Sequence, residues 1–311
     1  MTSSLAIGID IGGTTIKGRV VTNDGRTVHR AQPLPTPRSG AVDVALAAVH
    51  LAQHLVDAYP DAVAPVGVCA PGIIDEATGV GILSANLGWH NAPLRDMLSE
   101  HLGRPVAFGH DVRSGALAEA LWGVVQPHCL YVAVGTGIAS ALVINGELAP
   151  ARPWSGEIGQ VLVTDPDDPS RRVELEQVAS ASAIARRAVT YGILPDGCGA
   201  RDVQNLAQSD APGSARARDI QDSAIDLLGS VIATTLHQVG AMPVVLGGGL
   251  SKGGIAITGR LAQAIAASCT IFPAPAVVAA RLGSDSQALG AAALAFMQAD
   301  IRLVATQADM S

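Results

Sequence analysis

The sequence has few aromatic residues, little charge and only two lysines. Nine of its 311 residues are Trp, Tyr or Phe, and 15% are charged, against about 25% in an average soluble domain. Because the hydrophobic fraction is 49%, the core must be built from Ala, Val, Leu and Ile. A net charge of −7, with lysine only at Lys17 and Lys252, argues against a nucleic-acid partner, which needs a basic surface.

Cysteine is also sparse, and nothing in the sequence indicates export or a membrane partner. Cys69, Cys129, Cys198 and Cys269 are widely separated and form no C-x-x-C pair. We therefore expect buried thiols in a reducing compartment rather than disulfides. The first apolar run reaches Asp10 too early for a signal peptide, and the long uncharged stretches contain proline. These features predict a soluble, cytoplasmic protein.

Strand-like and helix-like segments alternate along the chain, which predicts the α/β class. The apolar run Leu5 to Asp10 is followed by a Gly/Thr turn, a second apolar run and a hairpin turn at 23–25. From Cys129 the same plan starts again and ends at the turn Asn145-Gly146. The two copies start at Leu5 and Cys129. This separation is too long for a solenoid repeat and indicates a duplicated domain. The spacing of apolar residues predicts helices over 42–59, 94–102, 112–122, 176–191, 214–239, 255–268 and 287–298.

The length and the repeat predict two lobes. We expect an N-terminal lobe over 1–115, to which a C-terminal helix at about 285–311 returns, and a C-terminal lobe over 116–284.

Three glycine-rich turns are candidate phosphate sites. Glycine lets backbone N–H groups approach an anion, threonine adds hydroxyl donors, and Lys17 adds charge. Asp10 could hold Mg²⁺ through water; locally, a tight hairpin with a strand-end Asp explains the first turn equally well. None of the turns is a Walker A loop, and the third is a poor dinucleotide motif. The residues expected to bind nucleotide are Asp10, Gly12, Gly13, Thr14, Thr15, Lys17, Gly135, Thr136, Gly137, Gly247, Gly248 and Gly249.

Asp111 is the candidate catalytic residue because it follows an apolar strand and precedes a helix. Taken alone, an Asp at this position is more often a helix N-cap than a base. Asn86, Glu157 and Glu176 lie in apolar or glycine-containing contexts. Together they are typical of a polyol site, where carboxylates and amides accept hydroxyl protons. Trp89 could form a wall of that site or belong to the core.

The ordered series DIGGTTIKG, APG, NLGW, a strand-end Asp, GTGI, GEIG, LEQVAS and LGGGLS resembles the ROK sugar kinases (repressor, open reading frame, kinase). The resemblance extends over nearly the whole chain. It implies a two-lobed actin/hexokinase-like fold of duplicated ribonuclease-H-like domains with a cleft between the lobes. It also implies ATP and Mg²⁺ as cofactors, and transfer of the γ-phosphoryl group to a hexose 6-hydroxyl.

By the same resemblance, Asp111 corresponds to the general base. The residues implied to contact sugar are Gly72, Asn86, His110, Asp111, Glu157, Gln160 and Glu176. Three departures stand out: His110 replaces the usual Asn, Gln160 replaces a His that touches sugar and zinc, and 165–174 lacks the cysteines of the zinc segment. We therefore expect no zinc. The substrate is expected to be glucose or a glucose analogue such as an amino sugar, for example one like kanosamine.

Other functions stay open at this point. An acetamido-hexose such as N-acetylmannosamine could be the acceptor, and polyphosphate could be the donor. A non-catalytic sugar-binding regulator is disfavoured by the joint presence of Asp10, Lys17 and Asp111. The repressors of the family carry an N-terminal helix-turn-helix, which we do not expect here. By analogy with the family we expect a homodimer.

Overall fold

The computed structural model describes residues 4–63, 65–124 and 126–305. Its strands, in chain order, are β1 Leu5–Ile11, β2 Thr15–Thr22, β3 Thr27–Arg30, β4 Leu34–Pro35, β5 Val66–Ala70, β6 Ile73–Asp75, β7 Val80–Ser84, β8 Trp89–Ala92, β9 Val106–His110, β10 Cys129–Val134, β11 Ile138–Ile144, β12 Glu147–Leu148, β13 Leu162–Thr164, β14 Arg172–Glu174, β15 Val244–Gly247 and β16 Val277–Ala279. The α-helices are α1 Ala41–Ala58, α2 Leu94–Leu102, α3 Asp111–Trp122, α4 Leu175–Ala179, α5 Ala181–Thr190, α6 Ala200–Ala207, α7 Ser214–Val239, α8 Gly254–Ala267 and α9 Ser286–Gln298.

The chain divides into two units. The first comprises Met1–Pro127, Leu142–Ser155 and Arg281–Ser311, and the second comprises His128–Ala141 and Gly156–Ala280. The lobe boundary expected between residues 115 and 116 falls inside α3. Residues 306–311 of the expected C-terminal helix lie outside the described residues.

A central sheet organises the first unit, with strand order β3-β2-β1-β5-β9 and β4 paired to β2. β1 pairs antiparallel with β2, whereas the β1–β5 and β5–β9 pairs are parallel. Helices α1 and α2 contribute to the core on one face, and α3 and α9 contribute to the core on the other. A smaller antiparallel sheet of β6, β7 and β8 follows β5 in the chain. The parallel strands therefore bring the carboxyl ends of β1, β5 and β9 to one edge.

Helix α1 is, among the described residues, the one helix long and apolar enough to cross a membrane by length and composition. Its buried side chains recur at helical spacing, as expected for one face packed on a protein core. They are Val44, Ala45, Ala48, Leu51, Ala52, Leu55 and Val56. All seven belong to the same hydrophobic cluster as residues of β1 and β5. The packing is that of a core helix.

Two glycines allow α9 to lie unusually close to its neighbours. A Cβ atom on Gly67 of β5 would overlap the carbonyl group of Ala291, and one on Gly290 would overlap the carbonyl group of Ser114 in α3. The backbones of β5, α9 and α3 are thus in direct contact, which fixes the start of α3 relative to the sheet.

A buried carboxylate ties distant segments of the first unit together. Glu119 of α3 accepts hydrogen bonds from the backbone N–H groups of Val124 (3.2 Å), Arg281 (3.0 Å) and Leu282 (2.7 Å). Burial raises the pKa of Glu119, and these three donors oppose the rise. Glu119 thereby anchors the chain just before it leaves this unit and just after it returns.

The second unit repeats the strand order of the first. Its sheet runs β11-β10-β15-β16, with parallel β10–β15 and β15–β16 pairs, matching β2-β1-β5-β9. Strand β11 continues into residues grouped with the first unit, where β12 pairs with its end. Asn145 and Gly146 both have positive φ (54° and 77°) in the connecting turn, as a tight hairpin requires. The duplication predicted from the sequence is confirmed.

Some local predictions were wrong. The helix expected over 176–191 is two helices, because Ser180 has extended φ and ψ (−67°, 159°) and its hydroxyl caps α5 by accepting from Ala183 N at 3.1 Å. Helix α6 and the β6–β8 sheet were not anticipated. Cys69 and Cys129 are buried as expected, but Cys198 and Cys269 are partly exposed.

Candidate active site

Two carboxylates lie at the carboxyl edge of the first unit's sheet. Asp10 is the penultimate residue of β1, and Asp111 is the first residue of α3, directly after β9. The negative charge of Asp111 is close enough to raise the pKa of Asp10. The fold therefore brings together two site residues that are 101 positions apart in the sequence.

Asp10 is buried and incompletely neutralised. Its Oδ2 atom lies 3.5 Å from Nζ of Lys17, which also donates to the carbonyl oxygen of Ser284 at 3.1 Å. Burial raises the pKa of Asp10 from 3.8 to about 7; Lys17 opposes this rise and Asp111 adds to it. A carboxylate in this position gains from any additional cation nearby.

The turn after β1 presents its backbone to solvent. Gly12 N donates to the carbonyl oxygen of Thr15 at 3.0 Å, and Thr36 Oγ1 donates to the carbonyl oxygen of Gly12 at 2.6 Å. Gly13 and Thr14 are exposed, and a Cβ atom on Gly13 would meet nothing within 4 Å. Hydrogen bonds at Gly12 fix the turn, while Gly13 and Thr14 stay accessible to solvent, as an anion-binding turn requires.

Asp111 is held by its own helix. Its Oδ1 accepts a hydrogen bond from Val112 N at 2.6 Å and lies 3.5 Å from Nε2 of the buried His110. Burial raises the pKa of Asp111, and the proximity of His110 opposes the rise. Asp111 is thus the first helical residue, and His110, rather than Asp111, occupies the N-cap position.

Two further predicted sugar residues lie in the first unit. Gly72 follows β5, whose last residue Ala70 pairs with His110. Its φ of +96° is unfavourable for other residues, and a Cβ atom there would overlap the carbonyl oxygen of Leu83. Asn86 is exposed in the turn between β7 and β8. Trp89, left as wall or core by the sequence, is a buried core residue.

In the second unit, Gln160 and Glu176 form a hydrogen-bonded pair. Gln160 Nε2 donates to Glu176 Oε1 at 2.7 Å, and Glu176 Oε2 accepts from the backbone N–H of Ile138 at 3.2 Å. Ile138 directly follows Gly137, so the pair adjoins the second glycine turn. Glu157 immediately precedes the 3₁₀ turn Ile158–Gln160, one turn before Gln160. The three predicted sugar residues of this unit therefore occupy one short region.

The two glycine turns of the second unit adjoin each other. Gly135 N donates to the carbonyl oxygen of Gly137 at 2.9 Å, which closes the turn at 135–137. Gly248 has a φ of +77°, and a Cβ atom there would overlap the backbone of Val134, the last residue of β10. Glycine at 248 thus permits the turn at 247–249 to pack against β10, the strand that leads into the turn at 135–137.

Sequence reasoning missed Glu76, Cys69 and Arg113. Glu76 Oε1 accepts from His110 N and Oε2 accepts from Arg113 Nε, each at 2.9 Å. Cys69 Sγ lies 3.9 Å from Asp10 Oδ1. The partners of Glu76 lie 34 and 37 residues away in the chain, and no local pattern connects them.

The metal-ligating side chains near the first glycine turn are few. Within the described ranges, no group of three or more His, Cys, Asp or Glu side chains could hold a metal ion. Mg²⁺ keeps several waters and commonly binds through one or two carboxylates plus substrate phosphates. A single buried carboxylate, Asp10, beside an open glycine turn fits that requirement. Independence from zinc remains a prediction.

The ROK family model matches residues 6–298. The chain belongs to the ROK family. It is 32% identical to the glucokinase of Thermotoga maritima, with 93% of this chain and 96% of that protein covered. It is 30% identical to the N-acetylmannosamine kinase of Yersinia pseudotuberculosis, with 92% and 96% covered.

A solved structure agrees with this assignment. The ROK family glucokinase from Streptomyces griseus, crystallised with glucose and AMPPNP, superposes with a TM-score of 0.78 at 26% identity and covers 94% of this chain and 100% of that one. The fold is the actin–hexokinase fold predicted from the motifs. This ROK protein is therefore related over its length to sugar kinases, and the resemblance stated from the sequence is confirmed.

Proposed function

We propose that this ROK protein is an ATP-dependent sugar kinase that phosphorylates the 6-hydroxyl of a hexose, either glucose or a glucose analogue such as an amino sugar. One observation carries the proposal. A partly buried carboxylate with a raised pKa, Asp111, lies at the same sheet edge as Asp10 and Lys17 and the exposed turn that follows β1. Phosphoryl transfer needs this combination of proton acceptor, cation site and anion-binding backbone.

Asp111 is the proposed general base. The sugar hydroxyl oxygen attacks the γ-phosphorus, the bond to the ADP oxygen breaks, and the hydroxyl proton passes to the Asp111 carboxylate. A carboxylate whose pKa is raised by burial is a stronger base than an exposed one. The Val112 N–H, which donates to Oδ1 at 2.6 Å, fixes the orientation of the carboxylate.

Lys17 and the three glycine turns are the proposed phosphate and nucleotide contacts. In the first unit, the exposed N–H groups and hydroxyls near Gly13 and Thr14 would bind phosphate oxygens, with the charge of Lys17 close by. Asp10 would hold Mg²⁺ through water, and the ion would supply neutralisation of phosphate charge. In the second unit, the turns at 135–137 and 247–249 are the proposed contacts to the rest of the nucleotide.

Gln160 and Glu176 are the proposed sugar-orienting pair, together with Gly72, Asn86, His110 and Glu157. Each Glu176 oxygen already accepts one protein hydrogen bond. Each retains capacity to accept a second from a sugar hydroxyl, so the carboxylate can bind sugar without changing position. In the second unit, the carboxylates of Glu157 and Glu176 would also favour a substrate that carries an ammonium group.

An acetamido-hexose is the second candidate acceptor, because an N-acetylmannosamine kinase is among the relatives that match nearly full length. Polyphosphate as donor is compatible with the same glycine turns, since backbone N–H groups bind either polyanion. A non-catalytic regulator would not need a carboxylate of raised pKa beside a phosphate turn.

A coupled ADP-release assay over glucose, amino-hexoses and acetamido-hexoses tests the proposal, with phosphorus NMR to locate the phosphoryl group. We expect turnover with glucose or an amino-hexose and a 6-phosphate product. Preference for N-acetylmannosamine would establish the second candidate. Sugar binding without turnover, with either ATP or polyphosphate, would establish a regulator instead.

A further inference from the structure

Glu76 connects a surface turn to the start of the helix that carries Asp111. It follows β6, and its carboxylate accepts two hydrogen bonds of 2.9 Å. Oε1 accepts from the backbone N–H of His110, and Oε2 accepts from Nε of Arg113. His110, the N-cap of α3, and Arg113, in its first turn, lie on either side of Asp111. Glu76 therefore fixes the residue before the proposed base and a residue two positions after it.

The turn that presents Glu76 is itself rigid. Asp75 Oδ1 accepts from Ala77 N at 3.1 Å, and Gly79 N donates to the carbonyl oxygen of Asp75 at 2.8 Å. From outside, the Arg95 guanidinium donates to the carbonyl oxygens of Ala77 (3.2 Å) and Thr78 (2.8 Å). Because hydrogen bonds hold the residues on both sides of Glu76, its carboxylate has a defined position and can orient the groups that donate to it.

Arg113 makes the second half of the connection. Its side chain is only 12% exposed, and besides Glu76 it donates through Nη2 to the carbonyl oxygen of Ala149 at 3.2 Å. A guanidinium with two fixed acceptors in a mostly buried place holds its geometry better than an exposed ion pair. Helix α3 is thus held at its N-cap amide and at its third residue.

We propose that Glu76 and Arg113 are positioning residues for Asp111: they set the geometry of the base without touching substrate. This inference rests on the proposed function, in which Asp111 accepts the sugar proton. The reason is geometric. A displacement of ~1 Å between reacting groups can cost ~10² in rate, and the first turn of α3 is where such a displacement would arise.

The test compares Glu76→Ala and Glu76→Gln in the full-length protein, with the exposed Glu100→Ala in helix α2 as a matched control. We expect Glu76→Ala to lower kcat by about tenfold with little change in the KM for sugar. Glu76→Gln keeps an oxygen for the His110 N–H but loses its charge, so its kcat should lie between those of the wild type and Glu76→Ala. Glu100→Ala should match the wild type.

A double-variant cycle separates positioning from general damage. If Glu76 acts through Asp111, Glu76→Ala should cause no further loss of kcat in an Asp111→Asn background. An equal loss in both backgrounds would overturn the proposal. Should Glu76→Ala fail to fold, Arg113→Gln, which removes the other half of the ion pair, replaces it in the same cycle.

Hydrogen exchange gives a readout that does not depend on activity. In Glu76→Ala the His110 amide loses its acceptor, so the peptide covering 106–113 should exchange faster than in the wild type. Unchanged exchange would contradict the positioning role even if no sugar is phosphorylated. Conversely, an active wild type with unchanged kcat in Glu76→Ala would remove the positioning role and leave the kinase function intact.

Discussion

Asp10 and Lys17 are directly paired across the antiparallel strands β1 and β2, with Oδ2 of Asp10 3.5 Å from Nζ of Lys17. The pair is unequal, because Asp10 is 4% exposed whereas a quarter of the Lys17 side chain reaches solvent. Burial raises the pKa of the Asp10 carboxyl to about 7, and Lys17 opposes that rise only in part. Partial neutralisation leaves the strand end suited to binding another cation.

The pKa of Asp10 makes stability depend on pH in a defined direction. In the unfolded chain Asp10 ionises near 3.8, and in the folded protein near 7. Between these values the folded state binds more protons, so the contribution of Asp10 to the free energy of unfolding decreases as pH rises. Relative to the wild type, Asp10→Asn should gain stability between about pH 5 and pH 8.

Urea unfolding at both pH values measures this difference. Asp24→Asn is the control: its hydrogen bond with Thr22 lowers the pKa of Asp24, so its contribution changes only in more acidic solution. A wild-type minus Asp10→Asn difference that is constant with pH would contradict the assigned environment of Asp10.

Asp111→Asn should lower kcat by ~10²–10⁴ and leave sugar affinity largely intact, because the amide keeps the shape but cannot accept the proton. Steady-state kinetics and calorimetric sugar titration measure the two quantities separately. Near-normal turnover in Asp111→Asn would exclude Asp111 as the base.

Arg187 should be a major contributor to stability of the second unit. Its 8% exposed side chain donates to both oxygens of Asp167 (2.7 and 2.9 Å) and to the carbonyl oxygen of Ile220 (3.2 Å). Removing one partner of a buried ion pair costs about 3–5 kcal/mol. Because Asp167 is 28% exposed, we expect Arg187→Ala to cost about 3 kcal/mol, the lower end. The adjacent, exposed Arg186→Ala should change the free energy of unfolding by less than about 0.5 kcal/mol; equal effects in urea unfolding would refute the distinction.

His110 should bias the enzyme away from glucose. It is buried beside Asp111, and a neutral imidazole offers one donor and one acceptor in a geometry that asparagine lacks. His110→Asn is expected to shift the ratio of kcat/KM values toward glucose, while the exposed His101→Asn leaves it unchanged. If the wild type already prefers glucose to every amino-hexose and His110→Asn keeps that ranking, the residue does not set specificity.

The protein should need no zinc to fold or act. The 165–174 segment contains no cysteine, and structural zinc needs about four protein ligands. Metal analysis of the purified protein should find no stoichiometric zinc, and a chelator should affect only the Mg²⁺-dependent step. One tightly held zinc per chain would contradict this prediction.

Several features that depend on neighbouring residues were predicted from the sequence. The hairpin after β1, the turn Asn145-Gly146 and the strand-to-helix junction at Asp111 each follow from a few consecutive residues whose conformational preferences agree. The break at Ser180 was missed because apolar spacing continues across it. The extended backbone of Ser180 and the cap formed by its hydroxyl with Ala183 N mark the boundary.

The amino-acid sequence by itself determined the α/β class, the duplicated plan, the family, and the residue types offered to phosphate and sugar, because all of these are written in short ordered motifs. Tertiary structure decided which side chains meet. Gln160 bonds to Glu176 16 residues away, Glu76 to Arg113 37 residues away, and Glu119 to Leu282 163 residues away. Burial, which raises the pKa values of Asp10 and Asp111, is likewise a property of the packed chain. Such contacts and desolvation arise only when strands and helices assemble, so local sequence patterns cannot predict them.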